Sequence, residues 1–240
     1  MRTKAFTKNQ KTVLSVDFDR DNTCPQRCSY CYVERMERIY KAYADKIKRN
    51  DSWSKEKPEN FARQLNTEHR KLRRSKSKKM KGLEKLPVRM YGSGDYIPEH
   101  YDWLKFLDFK FYIISKSLTF PSFNDERDKL LSLDNLTSIV LSFDNQNIDN
   151  YDNVKHLYGK DRFQFAFTGE NFDWQLQTEF NDKEFGIFFN TGEKKSDKEF
   201  SSKVKESCPT DAGNLPLQKA CTKCNKCWRS SKTKQKGWNR

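Results

Sequence analysis

The sequence lacks several features that define large classes of protein. No apolar run approaches the ~20 residues that a membrane-spanning helix needs. The first twelve residues, MRTKAFTKNQKT, contain no apolar segment of the kind found in signal peptides. Hydrophobic residues make up only 35% of the chain, and there are only three histidines. We therefore expect neither a membrane protein nor a secreted protein, and we expect the chain to work in a cytoplasm.

Basic and aromatic residues, in contrast, are abundant. The chain has 47 Lys and Arg against 33 Asp and Glu, which gives a formal net charge of +14. Aromatic residues make up 14% of the sequence, and because their side chains bury large areas, the chain is not expected to be wholly disordered. A length of 240 residues fits one large domain, or a domain with a small appendage.

The seven cysteines fall into a group of three and a group of four. Tight groups with an odd total are more typical of metal ligation in a reducing cytosol than of disulfide bonds. The two groups are Cys24, Cys28 and Cys31, and then Cys208, Cys221, Cys224 and Cys227.

Six short apolar runs rich in β-forming residues alternate with helix-like stretches. This alternation predicts an α/β protein built from βαβ units around a parallel sheet. Six strands are expected to form a partial (β/α)6 TIM-like barrel that stays open, with the chemistry in loops at the carboxyl ends of the strands. The predicted strands are Thr12–Phe18, Val88–Gly92, Phe109–Ser115, Ser138–Phe143, Phe163–Thr168 and Phe185–Asn190.

Helices are predicted between these strands, and the chain divides into two parts. Residues 1–200 are expected to form the barrel, interrupted by a long basic insertion at residues 49–86. Residues 201–240 are expected to form a small cysteine-rich metal module with a basic tail. The predicted helices are Tyr32–Lys48, His100–Leu107, Asn124–Leu133 and, within the insertion, an amphipathic Asn60–Arg74 with Phe61, Leu65 and Leu72 facing inward.

The first cysteine group has the spacing Cys-x3-Cys-x2-Cys, after a predicted strand and before a predicted helix. Three thiolates can hold one inorganic cluster and leave a metal position open for chemistry. This pattern resembles the radical S-adenosylmethionine (radical SAM) superfamily. That resemblance implies a [4Fe–4S] cluster on Cys24, Cys28 and Cys31, with S-adenosylmethionine on the open iron. Reductive cleavage of S-adenosylmethionine would give a 5′-deoxyadenosyl radical. The alternative is a zinc knuckle completed by a distant ligand.

The same resemblance assigns cofactor contacts to residues at the strand ends. Ser93, Gly94 and Asp95 stand where the superfamily has a Gly-Gly-Glu-like motif, with Asp95 in place of the usual Glu. Their expected role is to bind the methionyl amine, while an ordinary Gly-Asp turn is the alternative. The remaining candidates, for which a plain loop role is the alternative, are Tyr30 before the last cysteine, Lys116 for the cofactor carboxylate, and Ser142 and Asp144 for the ribose.

A closer resemblance covers roughly residues 12–228. The motifs in this range follow one another in the same order as in the phage gene-product-88 family, which we take to be radical-SAM-like. A virus-encoded protein that works in the cytoplasm of a bacterial host would fit this resemblance. The shared features are Val88–Arg89, Ser93–Asp95, Tyr101, Trp103, Tyr112, Lys116–Leu118 and the terminal cysteine set.

The second cysteine group has the spacing Cys-x12-Cys-x2-Cys-x2-Cys, which is a complete set of four thiolates. It predicts either an auxiliary [4Fe–4S] cluster, which we favour, or a structural zinc ion. Either metal would contribute folding free energy that this polar region could not obtain from apolar burial.

The sequence therefore predicts a radical SAM enzyme whose substrate it does not specify. A one-electron donor such as flavodoxin or ferredoxin is implied. The basic segment Arg70–Lys85 and the tail suggest a nucleic-acid or other phosphate-bearing substrate, which we modestly favour over the alternative of a solvated lysine-rich surface. The competing hypothesis is a non-enzymatic nucleic-acid-binding protein in which zinc or a cluster only stabilises the fold. The three histidines, His69, His100 and His156, are expected at the surface.

Overall fold

A computed structural model describes residues 5–8, 14–24, 26, 32–74, 86–144, 146–157, 160–169 and 187–190. Within these ranges the chain forms strands β1 (Phe6–Lys8), β2 (Leu14–Val16), β3 (Val88–Met90), β4 (Phe111–Ser115), β5 (Leu136–Phe143), β6 (Phe163–Gly169) and β7 (Ile187–Asn190). The helices are α1 (Arg20–Thr23), α2 (Tyr32–Ile39), α3 (Lys41–Glu56), α4 (Pro58–Arg73), α5 (Tyr101–Leu104), α6 (Asn124–Leu131) and α7 (Tyr151–Val154).

The strands form one mixed sheet in sequence order, from β1 at one edge to β7 at the other. The β1–β2 pair is antiparallel, and the five pairings from β2 to β7 are parallel. All six predicted strands are therefore confirmed as parts of a parallel α/β sheet, while β1 was not predicted. Parallel pairing brings the carboxyl ends of β2 to β7 to the same edge of the sheet, which we call the carboxyl edge.

One face of the sheet is apolar and carries the hydrophobic core. A row in register across five strands consists of Val16, Met90, Ile113, Ile139 and Phe163, each at most 4% exposed. Helices α4 to α7 cover this face, because apolar residues of each belong to the same buried cluster. Those residues are Phe61, Ala62 and Leu65 of α4, Trp103 and Leu104 of α5, Leu130 of α6 and Val154 of α7.

The opposite face of the sheet carries a polar row across four of these strands. The neighbouring row in register consists of Ser15, Arg89, Tyr112 and Ser138, because successive residues of a strand point to opposite faces. Three of these side chains are at most 3% exposed, and that of Arg89 is half-buried. The buried polar side chains in this row distinguish the face from the apolar interior typical of a closed barrel.

Helix α4 shows why its segment folds as it does. Pro58 occupies the first turn, where its missing N–H costs nothing, and α3 ends at Glu56, with Lys57 as the cap between the two helices. Phe61 and Leu65 are fully buried and Leu72 packs against the core, which confirms the predicted amphipathic helix. The α4 part of the basic segment 49–86 is therefore an integral layer of the core.

Two of the other helices differ from their predicted extent. The predicted helix Tyr32–Lys48 is interrupted at Tyr40, whose backbone (φ −120°, ψ 87°) leaves the helical region between α2 and α3. Neither glycine nor proline marks this break in the sequence. The predicted helix His100–Leu107 is reduced to a turn of 3₁₀ helix, Pro98–His100, followed by the short α5. No helix in the described ranges is long and apolar enough to cross a membrane.

The expectation that the histidines lie at the surface is wrong for two of the three. His69 is 5% exposed and stacks on Phe109, with ring centroids 4.4 Å apart. His100 is fully buried and its Nδ1 lies 3.1 Å from the hydroxyl of Tyr91. Only His156 is exposed. Both buried rings are aromatic members of the core, a role that sequence context alone did not indicate.

We predict a pH-dependent stability that originates at His100. Burial, and then the charge of Lys55, lower the pKa of His100 from 6.5 to about 3. Below pH 6.5 the unfolded chain takes up a proton that the folded protein does not, so stability is complete above that pH and is lost as the pH falls toward 3. The free energy of unfolding should fall by about 2 kcal/mol between pH 7 and pH 5 from this residue alone.

Urea denaturation at the two pH values measures this effect. His100→Gln should remove about 2 kcal/mol of the pH dependence, whatever the change in absolute stability. His156→Gln, which alters an exposed ring, is the matched control and should keep the wild-type dependence. Identical pH dependence in the wild type and in His100→Gln would contradict the prediction.

Candidate site at the carboxyl edge of the sheet

The loop after β2 leads to the first cysteine of the three-cysteine group. Asp19 caps α1 by accepting a hydrogen bond from the N–H of Asp21 at 3.1 Å. Cys24 follows α1 directly, donates its N–H to the carbonyl of Arg20 at 2.8 Å and is partly exposed. Helix α2 begins at Tyr32, immediately after the third cysteine of the sequence. The strand and helix predicted on either side of the motif are thus both present.

The loop after β3 is joined to the loop after β2 by hydrogen bonds in both directions. Phe18 donates its N–H to the carbonyl of Ser93 at 3.2 Å, and the Ser93 hydroxyl donates to the carbonyl of Phe18 at 3.0 Å. The N–H of Asp95 donates to the Thr23 hydroxyl at 3.2 Å, one residue before Cys24. The structure therefore brings the Ser93–Asp95 segment beside the cysteine loop.

Gly94 makes this contact possible. Its φ is +75°, in the left-handed region that favours glycine. A Cβ at this position would lie 2.4 Å from the Thr23 hydroxyl oxygen and 3.1 Å from Cβ of Phe18. A side chain at residue 94 would force the two loops apart, and the sequence motif thus has a steric explanation.

The carboxylate of Asp95 points into the protein toward β4. It accepts a hydrogen bond from the N–H of Tyr96 at 2.7 Å, and from the N–H groups of Lys116 and Ser117 at 3.0 Å each. The residue is 3% exposed, and burial raises its pKa despite these hydrogen bonds, which oppose the shift. Asp95 therefore links the loop after β3 to the end of β4, whereas the cofactor amine was its expected partner.

Lys116 and Asp144 form an ion pair between the ends of β4 and β5. Their side chains are 12% and 2% exposed, respectively. Asp144 also accepts a hydrogen bond from the N–H of Gln146 at 2.9 Å, and the Asn147 amide donates to the carbonyl of Ser142 at 2.9 Å. Two residues predicted to bind different parts of the cofactor thus neutralise each other in this conformation. Ser142, which is 8% exposed, lies beside them on β5.

Tyr91, just before the Gly92–Asp95 segment, has an unusual backbone. Its φ of +62° is costly for a residue with a side chain. Its ring is 2% exposed and lies parallel to that of His100 at 8°, with ring centroids 5.6 Å apart. The stacking and the hydroxyl contact with His100 hold a backbone turn that redirects the chain at the end of β3. No sequence pattern indicated this strain.

Asp17 is a carboxylate at this edge that the sequence analysis did not select. It follows β2 directly and is 2% exposed. No described residue donates a hydrogen bond to its Oδ1, although that atom is buried. Its carbonyl accepts the Asn50 amide of α3 at 3.0 Å, which anchors the backbone. The sequence feature that could have identified Asp17 is its position as an acidic residue at the carboxyl end of an apolar strand.

Several predicted site residues lie outside the described ranges. They are Tyr30, Cys28, Cys31 and the four cysteines Cys208, Cys221, Cys224 and Cys227. Within the described part of the chain, no three His, Cys, Asp or Glu side chains are grouped as a metal site would require. Of the first cysteine group only Cys24 is described, so the ligand set stays a prediction.

Comparisons with known proteins give one match. A family model described as gene product 88 matches residues 1–230, which is almost the whole chain. No curated protein and no solved structure matches significantly. The family match agrees with the closer of the two resemblances drawn from the sequence motifs, and it carries no statement about radical SAM chemistry.

We predict that Asp95 is needed for stability. Asp95→Ala leaves three buried N–H groups without their acceptor, and the free energy of unfolding should fall by about 3 kcal/mol. Asp102→Ala is the matched control, because Asp102 is exposed and pairs only with Lys105 on the surface; it should change stability by less than about 0.5 kcal/mol. Urea denaturation of both variants measures the difference, and equal losses would contradict this role.

Proposed function

The chain belongs to the gene product 88 family, and from that premise we propose that it is a radical SAM enzyme. It would bind a [4Fe–4S] cluster through Cys24, Cys28 and Cys31, and S-adenosylmethionine at the carboxyl edge of the sheet. The observation that carries this proposal is the direct contact between the cysteine loop and the glycine-containing loop after the next strand, through Phe18 with Ser93 and Thr23 with Asp95.

The geometry of the described residues fits a cofactor at this edge. Gly92 and Gly94 let the loop after β3 pack directly against the loop after β2, because a Cβ at these positions would meet atoms of that loop at 2.2 and 2.4 Å. Buried Asp17 has an oxygen that no described residue satisfies. A partly exposed Cys24 stands at the end of the same loop. An acceptor and a thiol on closely packed loops at the carboxyl edge of a parallel sheet support a ligand site there.

Bound together, the cluster and S-adenosylmethionine would supply one-electron reductive cleavage and hydrogen abstraction. The protein's own residues would hold and orient these groups. In this proposal Asp95 acts as a positioning residue, since it fixes the Ser93–Gly94 backbone against β4. The Lys116–Asp144 pair would close one side of the site, and either partner could exchange its ion pair for a cofactor carboxylate or ribose hydroxyl.

We also propose the finer architecture that the sequence predicted. The parallel strands would curve into a partial (β/α)6 barrel, with the polar face of the sheet turned inward. The buried Ser15 and Ser138 in the polar row support this, because a concave interior buries polar groups without apolar packing. The four cysteines of residues 201–240 would hold an auxiliary [4Fe–4S] cluster or zinc. A bacterial cytoplasm with a flavodoxin or ferredoxin as electron donor would suit a phage protein of this kind.

Metal and sulfide analysis of anaerobically prepared protein tests the cofactor proposal. We expect iron and sulfide for up to two clusters in the wild type. Changing Cys24, Cys28 and Cys31 together to Ala should remove about one cluster's worth of iron and abolish the release of 5′-deoxyadenosine from S-adenosylmethionine under reducing conditions. Changing the four later cysteines to Ala is the matched variant and should remove the other portion of metal.

The result that would overturn the proposal is stoichiometric zinc without sulfide in reconstituted protein. That outcome would favour the non-enzymatic alternative, in which metal only stabilises the fold. Iron and sulfide without any 5′-deoxyadenosine release would instead indicate a cluster-binding protein that has lost turnover.

A second candidate function, nucleic-acid binding, is favoured by the surface of α4. The last turns of this helix expose Arg70, Lys71, Arg73 and Arg74, and the single described ion pair there joins Arg70 to Asp108 at 3.6 Å between exposed side chains. Such a pair is weak in water, so the cations stay available for phosphates. This surface lies on the apolar-face side of the sheet, since α4 contributes Phe61 and Leu65 to the core.

Replacing those four residues with Gln tests this surface. If they contact nucleic acid, binding should weaken with salt, and each lost phosphate contact should flatten the slope of log affinity against log salt by about 0.7–0.9. A control with the same charge change replaces exposed lysines elsewhere: Lys41, Lys48, Lys57 and Lys160. Equal effects of both variants, or no preference for RNA or DNA over heparin at physiological salt, would reduce the surface to non-specific charge.

A further inference from the structure

Asp17 is a buried acid whose environment is incomplete. Its side chain lies over Gly92, where an added Cβ would be only 2.2 Å from Oδ1 and 2.9 Å from the Ser15 hydroxyl oxygen. Glycine at residue 92 therefore opens the space that the carboxylate occupies. The backbone of Asp17 is fixed from the other side by the Asn50 amide. The position of the carboxylate is thus determined by strand β2, by Gly92 and by α3.

The Asp17 carboxylate lacks hydrogen-bond donors for one of its oxygens. Oδ1 is buried and receives no hydrogen bond from any described residue. Lys46 of α3 lies within electrostatic range, because the charge of Asp17 opposes the lowering of the Lys46 pKa that burial causes. Lys46 nevertheless does not donate to Oδ1. Burying an anion with an unsatisfied oxygen is costly, and such groups in native proteins are explained by strain, by a catalytic role, or by a bound water or ion. A charged ligand can complete the group in the same way.

The other acids of the carboxyl edge already have partners. Asp95 accepts three backbone N–H groups, and Asp144 is paired with Lys116. Asp51, which accepts a hydrogen bond from Asn22 of α1, also has a buried Oδ1 without a hydrogen bond, but that atom is paired with Lys55 at 3.1 Å. Among the described residues of this edge, Asp17 Oδ1 has neither a hydrogen bond nor an ion pair. A buried anion selects a positively charged donor over a neutral one, since charge-assisted hydrogen bonds are about twice as strong as neutral ones.

We propose that Asp17 Oδ1 is the acceptor for a protonated amine of the molecule that binds at the carboxyl edge. This inference rests on the proposed function in so far as the amine can come from the amino-acid end of S-adenosylmethionine. An amine on the substrate would present the same chemistry. If the amine is that of the cofactor, Asp17 takes the amine-binding role that the sequence motif assigned to Asp95. In either case Asp95 shapes the neighbouring loop.

Urea denaturation without a ligand tests whether Asp17 Oδ1 lacks a hydrogen-bond donor in the folded protein. Asp17→Asn keeps the shape of the side chain and removes its charge, and we expect the urea midpoint of the protein to stay the same or rise. The matched control is Glu126→Gln, because Glu126 is also buried but is satisfied by the Tyr96 hydroxyl at 2.7 Å and by Lys129 at 2.6 Å. This control should lower the midpoint. A comparable loss in Asp17→Asn, or failure of that variant to fold, would overturn the proposal.

A binding measurement identifies the source of the amine. Calorimetry on anaerobically reconstituted protein compares S-adenosylhomocysteine, which carries the amine, with methylthioadenosine, which lacks it. A loss of affinity of about tenfold or more in Asp17→Asn, confined to S-adenosylhomocysteine, assigns the amine to the cofactor. Unchanged affinity for both would overturn the assignment of the amine to the cofactor. Equal weakening of both nucleosides would overturn the proposal, because it would indicate a general distortion.

The two proposals can fail separately. If the wild type contains a complete cluster and binds neither nucleoside, the radical SAM function is wrong. The stability comparison of Asp17→Asn with Glu126→Gln still decides whether Asp17 has an open acceptor, since it involves no cofactor.

Discussion

The contact between the loops after β2 and β3 determines the rest of the candidate site. It depends on the parallel register that places Val16 beside Met90, so that the two strands end at the same level. Reciprocal hydrogen bonds between Phe18 and Ser93 then hold the loops together, and Gly94 allows the close approach to Thr23. Without this contact Cys24 and the Gly92–Asp95 segment would be separate surface loops, and the proposed ligand site would lose its structural basis.

The difference between the two faces of the sheet explains how the protein can bury polar side chains. The apolar row through Met90 and Ile113, with helices α4 to α7 packed on it, supplies the hydrophobic stabilisation. The opposite face therefore does not need to supply a hydrophobic core, and it carries Ser15, Tyr112 and Ser138. The Tyr91 backbone at the end of β3 is strained, and ring stacking with buried His100 offsets the free-energy cost of that strain.

The sequence predicted the strands well because six apolar runs are flanked by polar, turn-forming segments. It missed β1, which has three residues and one neighbour in the sheet. The break at Tyr40 and the burial of His100 were also missed, since both depend on tertiary contacts that no local pattern encodes. In the candidate site, residue types at strand ends identified loops that the structure brings together at one edge of the sheet. They could not show which donors each carboxylate would meet.

Three acids at the carboxyl edge illustrate that limit. Asp17, Asp95 and Asp144 each follow a parallel strand, and each is at most 3% exposed. Asp95 meets N–H groups at the end of the neighbouring strand, and Asp144 meets Lys116, so both are completed by the chain itself. Asp17 lies over a glycine, which offers room and no side-chain donor. Chemically equivalent residues thus differ according to what the neighbouring strand places opposite them, and this difference is the basis of the ligand-binding role that we propose for Asp17.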